Sequence, residues 1–80
     1  MREEIFDFIV KIIWNKLGYP RKSIDYTSNL VWDIGMNSID YMRMICEIEE
    51  KYNICYRIES VLIDESIENI INNILICVEN

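Results

Sequence analysis

Apolar and polar residues recur with the period of an α-helix in three stretches of this chain. The first stretch runs from Glu3 to Leu17, and Gly18 followed by Pro20 predicts its end. Its polar positions fall on one narrow stripe, so most of the helix surface is apolar. That stripe consists of Glu4, Asp7, Lys11 and Asn15. We therefore expect the first helix to present a wide apolar face to the rest of the domain.

The second and the last helix each show an apolar stripe that recurs every three or four residues. The second helix begins around Ser38, and Ser66 can cap the last one. The stripe of the second helix consists of Ile39, Met42, Ile45, Ile48 and Tyr52. The stripe of the last helix consists of Ile67, Ile70, Ile71, Ile74, Leu75 and Val78. We predict that both stripes are buried in the core.

Two irregular stretches separate these helices. Residues 19–37 form a connection that is long for a compact domain, and apolar side chains are expected to hold it against the helices as an ordered crossover. Those side chains are Ile24, Leu30, Val31, Trp32 and Ile34. Residues 54–58 alternate loosely like a strand, whereas residues 60–63 suit a short helix, which we adopt. The prediction is a single all-α domain over residues 1–80, a small four-helix bundle with a long first loop and a short third helix.

The net charge of the chain limits the classes of molecule that it can bind. Acidic residues outnumber basic ones by 14 to 8, which gives a net charge of −6. Such a surface repels nucleic acid phosphates and attracts proteins with basic docking patches. Charged residues interrupt the apolar N-terminal stretch, so neither a signal peptide nor a membrane span is predicted, and we expect a cytoplasmic protein.

The side chains that usually carry catalysis or bind metals are scarce. The chain has no histidine and no glycine-rich phosphate loop, and its three cysteines form no CxxC pair. Those cysteines are Cys46, Cys55 and Cys77. We expect them to be reduced thiols, and we predict neither an enzyme nor a metal site.

The segment DIGMNSID, residues 33–40, brings a hydroxyl to the point where the long loop becomes a helix. The N–H groups and dipole of a helix start favour a phosphate there, and Gly35 permits a tight approach or a positive φ. Ser38 would then be an accessible site of modification. The alternative is ordinary capping by Asn37 or Ser38, with Asp40 as the reciprocal partner in a capping box.

This segment, followed by YMRMICEIEEKYNI, resembles the acyl carrier and peptidyl carrier protein family, whose attachment motif is commonly D-x-G-x-D-S-L-D. The matching residues are Asp33, Gly35, Ser38 and Asp40. The resemblance implies that Ser38 carries a covalent 4'-phosphopantetheine arm. The residues expected around the arm are Gly35, Asn37, Ile39 and Asp40. The chain would hold an acyl or aminoacyl group as a thioester on this arm.

The resemblance also implies partners that meet the carrier on its second helix. They are a phosphopantetheinyl transferase and the enzymes that load and process the carried group, and the carrier itself is expected to be a monomer. Charged docking contacts are predicted at Asp40, Glu47 and Glu50, and apolar ones at Tyr41 and Met44. Four isoleucines could shelter the acyl chain between helices, or these four residues could be ordinary core. These residues are Ile45, Ile48, Ile63 and Ile71.

Departures from the family pattern favour a specialised carrier. Asn37 stands where the family usually has aspartate, and Arg43, predicted to pair with Glu47, stands where fatty-acid carriers usually have an acidic residue. We therefore favour a polyketide, nonribosomal peptide or related pathway over fatty-acid synthesis. A further alternative is an unmodified interaction module that binds through Trp14, Trp32 and the first helix. Otherwise these two tryptophans are expected to anchor the core and the loop.

Overall fold

The computed structural model describes residues 2–19, 23–56 and 66–79, and the regular secondary structure in these ranges is helical. Helix α1 spans Arg2–Lys11, α2 spans Ser38–Tyr52 and α3 spans Ile67–Glu79. The predicted all-α class is therefore confirmed for the described part of the chain. The short helix predicted at residues 60–63 lies outside the described residues. None of the described helices combines the length and apolar character needed to cross a membrane.

The first helix continues past α1 into a wider turn before it ends. Residues Ile12–Lys16 form a π-helical turn, in which the N–H of Leu17 donates to the carbonyl of Ile12 over 2.9 Å. Gly18 follows with a φ of 75°, so the predicted end of this helix is confirmed. The wider turn was not predicted, because helical periodicity alone does not distinguish α from π geometry at a helix end.

The core is built from one side of each helix. Among the residues that the structure describes, those without exposed surface are Ile5, Ile9, Ile13, Leu30, Met44, Ile48, Ile67, Ile70, Ile71 and Ile74. The apolar stripe predicted for the last helix is thus confirmed, and Leu75 and Val78 pack half-buried at its end. The four positions of the polar stripe, three on α1 and one on the π-helical turn, are all exposed, also as predicted.

The stripe predicted for α2 is wrong at two positions. Ile39 is 72 % exposed and Met42 is 44 % exposed, whereas Tyr41 and Met44 are buried instead. Ile45 and Ile48 are buried as predicted, and Tyr52 is half-buried. Residues 41, 44, 45 and 48 also follow helical spacing, so the helix offers two overlapping apolar faces. The period alone cannot select the face that packs against the other helices.

The first part of the loop connects to the start of α3. The carbonyl of Ser28 accepts from the N–H of Ile67 at 3.0 Å, and that of Tyr26 accepts from the N–H of Glu68 at 2.8 Å. Nearby, hydrogen bonds from the Thr27 hydroxyl and N–H hold the pKa of Asp25 below its usual value. The predicted ordered crossover is confirmed here by these bonds.

The second part of the loop folds into a tight turn that leads to α2. The side chain of Asn29 accepts from the N–H groups of Val31 and Trp32 at 2.9 and 3.0 Å, and Asp33 accepts from the N–H of Asn29 at 2.7 Å. Leu30 is buried as predicted. Val31 and Trp32 were expected to anchor the loop, but they are 37 % and 85 % exposed because they lie on the outside of this turn.

Candidate attachment site at the start of helix α2

Helix α2 is capped by Asn37 and not by Ser38. Asn37 has an extended backbone, and its side-chain oxygen accepts from the N–H of Asp40 at 2.8 Å. Its carbonyl accepts from the N–H of Tyr41 at 2.9 Å. Ser38 is the first helical residue, and its side chain is exposed. The structure thus selects between the two capping residues considered from the sequence, and the Ser38 hydroxyl is not needed for the cap.

Gly35 shapes the approach of the chain to Ser38. Its φ is 83°, in the left-handed region that favours glycine, and its N–H donates to the carbonyl of Val31 at 3.1 Å. A Cβ atom added at Gly35 would meet no heavy atom within 4 Å outside its chain neighbours, so the cost of an alanine there is conformational and not steric. The positive φ predicted at this glycine is confirmed.

Tyr19 completes the cap in a way that the sequence did not reveal. Its hydroxyl donates to Asp40 Oδ2 at 2.7 Å and accepts from the N–H of Asn37 at 3.3 Å. The predicted capping box, in which Asp40 would bond directly to Asn37, is therefore bridged by a phenol. Burial and the bond to Asp40 raise the pKa of Tyr19, because both favour the protonated phenol over the phenolate. No spacing rule links Tyr19 to a residue 18 positions later.

The charged side chains beside Ser38 pair differently from the prediction. Arg43 Nη1 lies 3.7 Å from Asp40 Oδ1, one turn back on the same helix. Glu47 Oε2 lies 2.9 Å from Lys16 Nζ, at the end of the first helix. The predicted pair between Arg43 and Glu47 is wrong, because each side chain has a different nearby partner.

The predicted docking residues divide into two groups. Glu50 is exposed and Asp40 and Glu47 are partly exposed, so their charges are available on the surface. Tyr41 and Met44 are buried at 8 % and 0 % exposure and cannot contact a partner, which corrects the prediction.

Other apolar side chains take their place on the outer face of α2. A shallow, open depression of about 500 Å³ begins at Ser38 and follows this face. It is lined by Ser38, Ile39, Met42, Arg43, Cys46 and Glu47. Ile39 and Met42 were recognised in the sequence as a helical stripe, but they were assigned to the core. The same helical spacing, assigned to the solvent-exposed side of α2, would have identified this surface.

The residues considered as a shelter for an acyl chain belong to the packed core. Ile45, Ile48 and Ile71 are at most 1 % exposed and join one hydrophobic cluster. Ile63 lies outside the described residues. The structure therefore supports the ordinary-core interpretation for the three residues that it describes.

The surroundings of Ser38 fit a phosphodiester on its oxygen. The hydroxyl is exposed, and the first-turn N–H groups of a helix have no acceptor within the helix itself. These groups and the helix dipole stabilise negative charge next to the first residue. A phosphopantetheine group attached here would supply a thiol at the end of a long flexible chain, so the reactive sulfur would belong to the cofactor.

A small helical domain with an exposed serine at a helix start, beside an open apolar face, has the features of a carrier that is modified and then presented to other proteins. Residues 7–72 match the family model of the phosphopantetheine attachment site, and the chain belongs to this family. Its cofactor is covalent 4'-phosphopantetheine, as predicted.

Curated relatives agree with this assignment. The chain is 33% identical to an acyl carrier protein of Guillardia theta over 52 residues, which is 65% of this chain and 64% of the relative. It is 32% identical to one of Saccharopolyspora erythraea over 50 residues, 62% of this chain and 53% of the relative. An acyl carrier protein of Picosynechococcus is 33% identical over 54 residues, 68% and 67% of the two chains. The chain thus spans about half to two thirds of the length of these relatives.

Proposed function

We propose that Ser38 carries the phosphopantetheine arm and that this chain delivers an acyl or aminoacyl group, held as a thioester, to partner enzymes. One observation carries the assignment to Ser38. Its hydroxyl is exposed at the first position of α2, while the neighbouring Asn37 performs the capping. The hydroxyl is therefore available for a covalent bond without loss of the cap.

The one reacting group that this chain supplies for loading is an accessible oxygen. In the transferase reaction the Ser38 hydroxyl gives its proton to a base of the transferase, and its oxygen bonds to the β-phosphorus of coenzyme A. The bond between the two phosphates of coenzyme A breaks, and adenosine 3',5'-bisphosphate leaves. The start of α2 orients Ser38 and stabilises the phosphodiester charge. The carrier itself performs no catalysis, since bond making and breaking are left to partner enzymes and to the thiol of the cofactor.

Partners are proposed to dock on the outer face of α2, next to Ser38. Ile39 and Met42 supply exposed apolar surface there, and Asp40, Glu47 and Glu50 supply charge. Attachment to one flexible arm raises the local concentration of the carried group at each partner. The partners are a phosphopantetheinyl transferase and the enzymes that load and process the group. A monomeric carrier in the cytoplasm remains the prediction of the sequence.

The pathway is proposed to be a specialised one, such as polyketide or nonribosomal peptide synthesis, with fatty-acid synthesis as the alternative. Asn37 and Arg43 support this choice, because both replace acidic residues that are usual beside the attachment serine. Intact mass of the chain purified from its own cells tests the choice. An aminoacyl or modified acyl mass supports it, whereas a series of simple fatty acyl masses contradicts it.

The test of the attachment site is intact mass before and after incubation with coenzyme A and a broad-specificity phosphopantetheinyl transferase. We expect a gain of one phosphopantetheine in the wild type and none in Ser38→Ala. Ser66→Ala is the matched control, since it removes the serine at the start of α3, and it should gain the arm. Modification of Ser38→Ala, or no gain in the wild type while a known carrier is loaded, would contradict the proposal.

A further inference from the structure

Two acidic side chains beside Ser38, Asp40 and Glu47, are each paired with a cation of the same chain. Both carboxylate oxygens of Asp40 have partners, Tyr19 at Oδ2 and Arg43 at Oδ1. Glu47 is paired with Lys16 at 2.9 Å. Two carboxylates are therefore balanced by two cations in this part of the surface, although the whole chain has a net charge of −6.

The cation of each pair is the more exposed member. The side chain of Arg43 is 65% exposed against 19% for Asp40, and that of Lys16 is 59% exposed against 33% for Glu47. An approaching molecule therefore meets the guanidinium and the ammonium before it meets the carboxylates. Because Arg43 also lines the depression next to Ser38, its charge lies where a docked partner would make contact.

The rest of this surface is apolar. Ile39 and Met42 line the depression at 72 % and 44 % exposure, and Asn37, at the helix start, carries no charge. A basic docking patch placed here would face Arg43, and like charges in contact disfavour association. A carboxylate would instead form hydrogen bonds to the guanidinium, whose fork of N–H groups matches it.

We propose that the enzymes that dock beside Ser38 place an apolar side chain in this depression and a carboxylate, not a basic group, against Arg43. Arg43 is then a residue that determines partner specificity. The inference rests on the proposed function, in which Ser38 bears the arm and partners dock on α2. It goes further by stating the charge that a partner needs at one position.

A charge exchange between carrier and transferase tests this inference. The probes are a broad-specificity transferase with a basic carrier-facing surface and its variant in which the basic residue facing position 43 is glutamate. The kcat/KM of arm loading is measured for the wild type and Arg43→Glu. With the basic enzyme we expect Arg43→Glu to load about fivefold faster at low salt, and with the glutamate variant about fivefold slower. Both differences should shrink at about 1 M salt, where the screening length is short.

Lys51→Glu is the matched control, because it makes the same charge change near the other end of α2, where Lys51 lies over the Phe8 ring. It should alter kcat/KM much less than Arg43→Glu. Arg43→Gln, which adds no repulsion with Asp40, should give intermediate rates and guards against an effect of misfolding. Circular dichroism verifies that each variant is helical.

The outcomes separate this inference from the function on which it rests. Equal effects of Arg43→Glu and Lys51→Glu, or no preference of the glutamate enzyme for the wild type, would overturn the role of Arg43 while loading of Ser38 stands. Failure of both enzymes to load any variant, while a known carrier is loaded, would instead overturn the proposed function and the inference together.

Discussion

The starts of α2 and α3 each contain a serine, but the serine caps α3 whereas Asn37 caps α2. At α3 the hydroxyl of Ser66 accepts from the N–H of Asn69 at 3.2 Å. The next two N–H groups, of Ile67 and Glu68, donate to loop carbonyls. The hydroxyl and the first-turn donors of α3 are thus engaged within the protein, and this helix start serves the fold.

At α2 the cap and the neighbouring hydroxyl belong to different residues. Asn37 accepts from the N–H of Asp40, and Tyr19 supports it, while Ser38 is exposed beside an open depression. The comparison shows that a serine at a helix start is suited to modification when another residue performs the capping. The position of serine in the sequence does not by itself distinguish the two cases.

The largest expected difference between the two helices is in packing. Ile70→Ala in α3 removes a fully buried side chain and should lower the free energy of unfolding by about 2–5 kcal/mol. Ile39→Ala in α2 changes a side chain that is 72 % exposed and should cost less than about 0.5 kcal/mol. Urea unfolding followed by circular dichroism compares them. Similar losses in both variants would show that Ile39 is not on a free surface.

The second difference is in capping. Ser66→Ala should lower the free energy of unfolding by about 1 kcal/mol and leave the rate of arm loading unchanged. Asn37→Ala should lower the free energy of unfolding by about as much. It should also slow arm loading, because the first turn of α2, which presents Ser38, loses its cap. Denaturation and intact-mass kinetics measure the two effects. A slower loading of Ser66→Ala than of Asn37→Ala would reverse the comparison.

The sequence predicts the helices because their stripes and stop signals are local. The end of the first helix at Gly18, the capping role of Ser66 and the buried stripe of α3 all depend on residues within a few turns, and they are confirmed. The attachment motif is similarly local. The positive φ of Gly35 follows from its position in a tight turn before a helix.

The remaining features of the site depend on tertiary contacts. Helix α2 has two overlapping apolar faces, and only its neighbours decide that Met44 is buried while Met42 is exposed. Tyr19 reaches the cap from the end of the first helix, and Lys16 reaches Glu47 from there too. Trp32 is exposed although its type favours burial. No periodic pattern encodes these choices.

Tyr19→Phe tests whether the cap of α2 depends on the phenol. The change removes the bonds to Asp40 and to the Asn37 N–H, and it should lower the free energy of unfolding by about 0.5–1 kcal/mol with a modest slowing of loading. Tyr52→Phe, at the other end of α2, is the control for loss of a phenol oxygen. Unchanged loading and stability in Tyr19→Phe would show that Asn37 caps unaided.

This contribution of Tyr19 should depend on pH in a defined direction. The folded pKa of Tyr19 is raised above the ordinary value of 10.0, chiefly by burial and then by the bond to Asp40. The protonated phenol is therefore favoured in the fold, and its contribution is present below that ordinary pKa and lost as pH rises through the folded value. The stability difference between wild type and Tyr19→Phe should shrink in that alkaline range.

The smallest expected effect comes from restoring a carboxylate at the cap. Asn37→Asp places a negative charge at the positive end of α2 and should raise the free energy of unfolding by about 0.3–1 kcal/mol at low salt. A helix start lowers the pKa of such a carboxylate, so the gain should be present at neutral pH and lost as pH falls through the folded pKa. Ser66→Asp is the matched change at α3, where loop carbonyls already face the N–H groups of Ile67 and Glu68. The gain in the free energy of unfolding should therefore be smaller for Ser66→Asp than for Asn37→Asp. An equal or larger gain at α3 would mean that the two helix starts do not differ in their capacity to hold an anion.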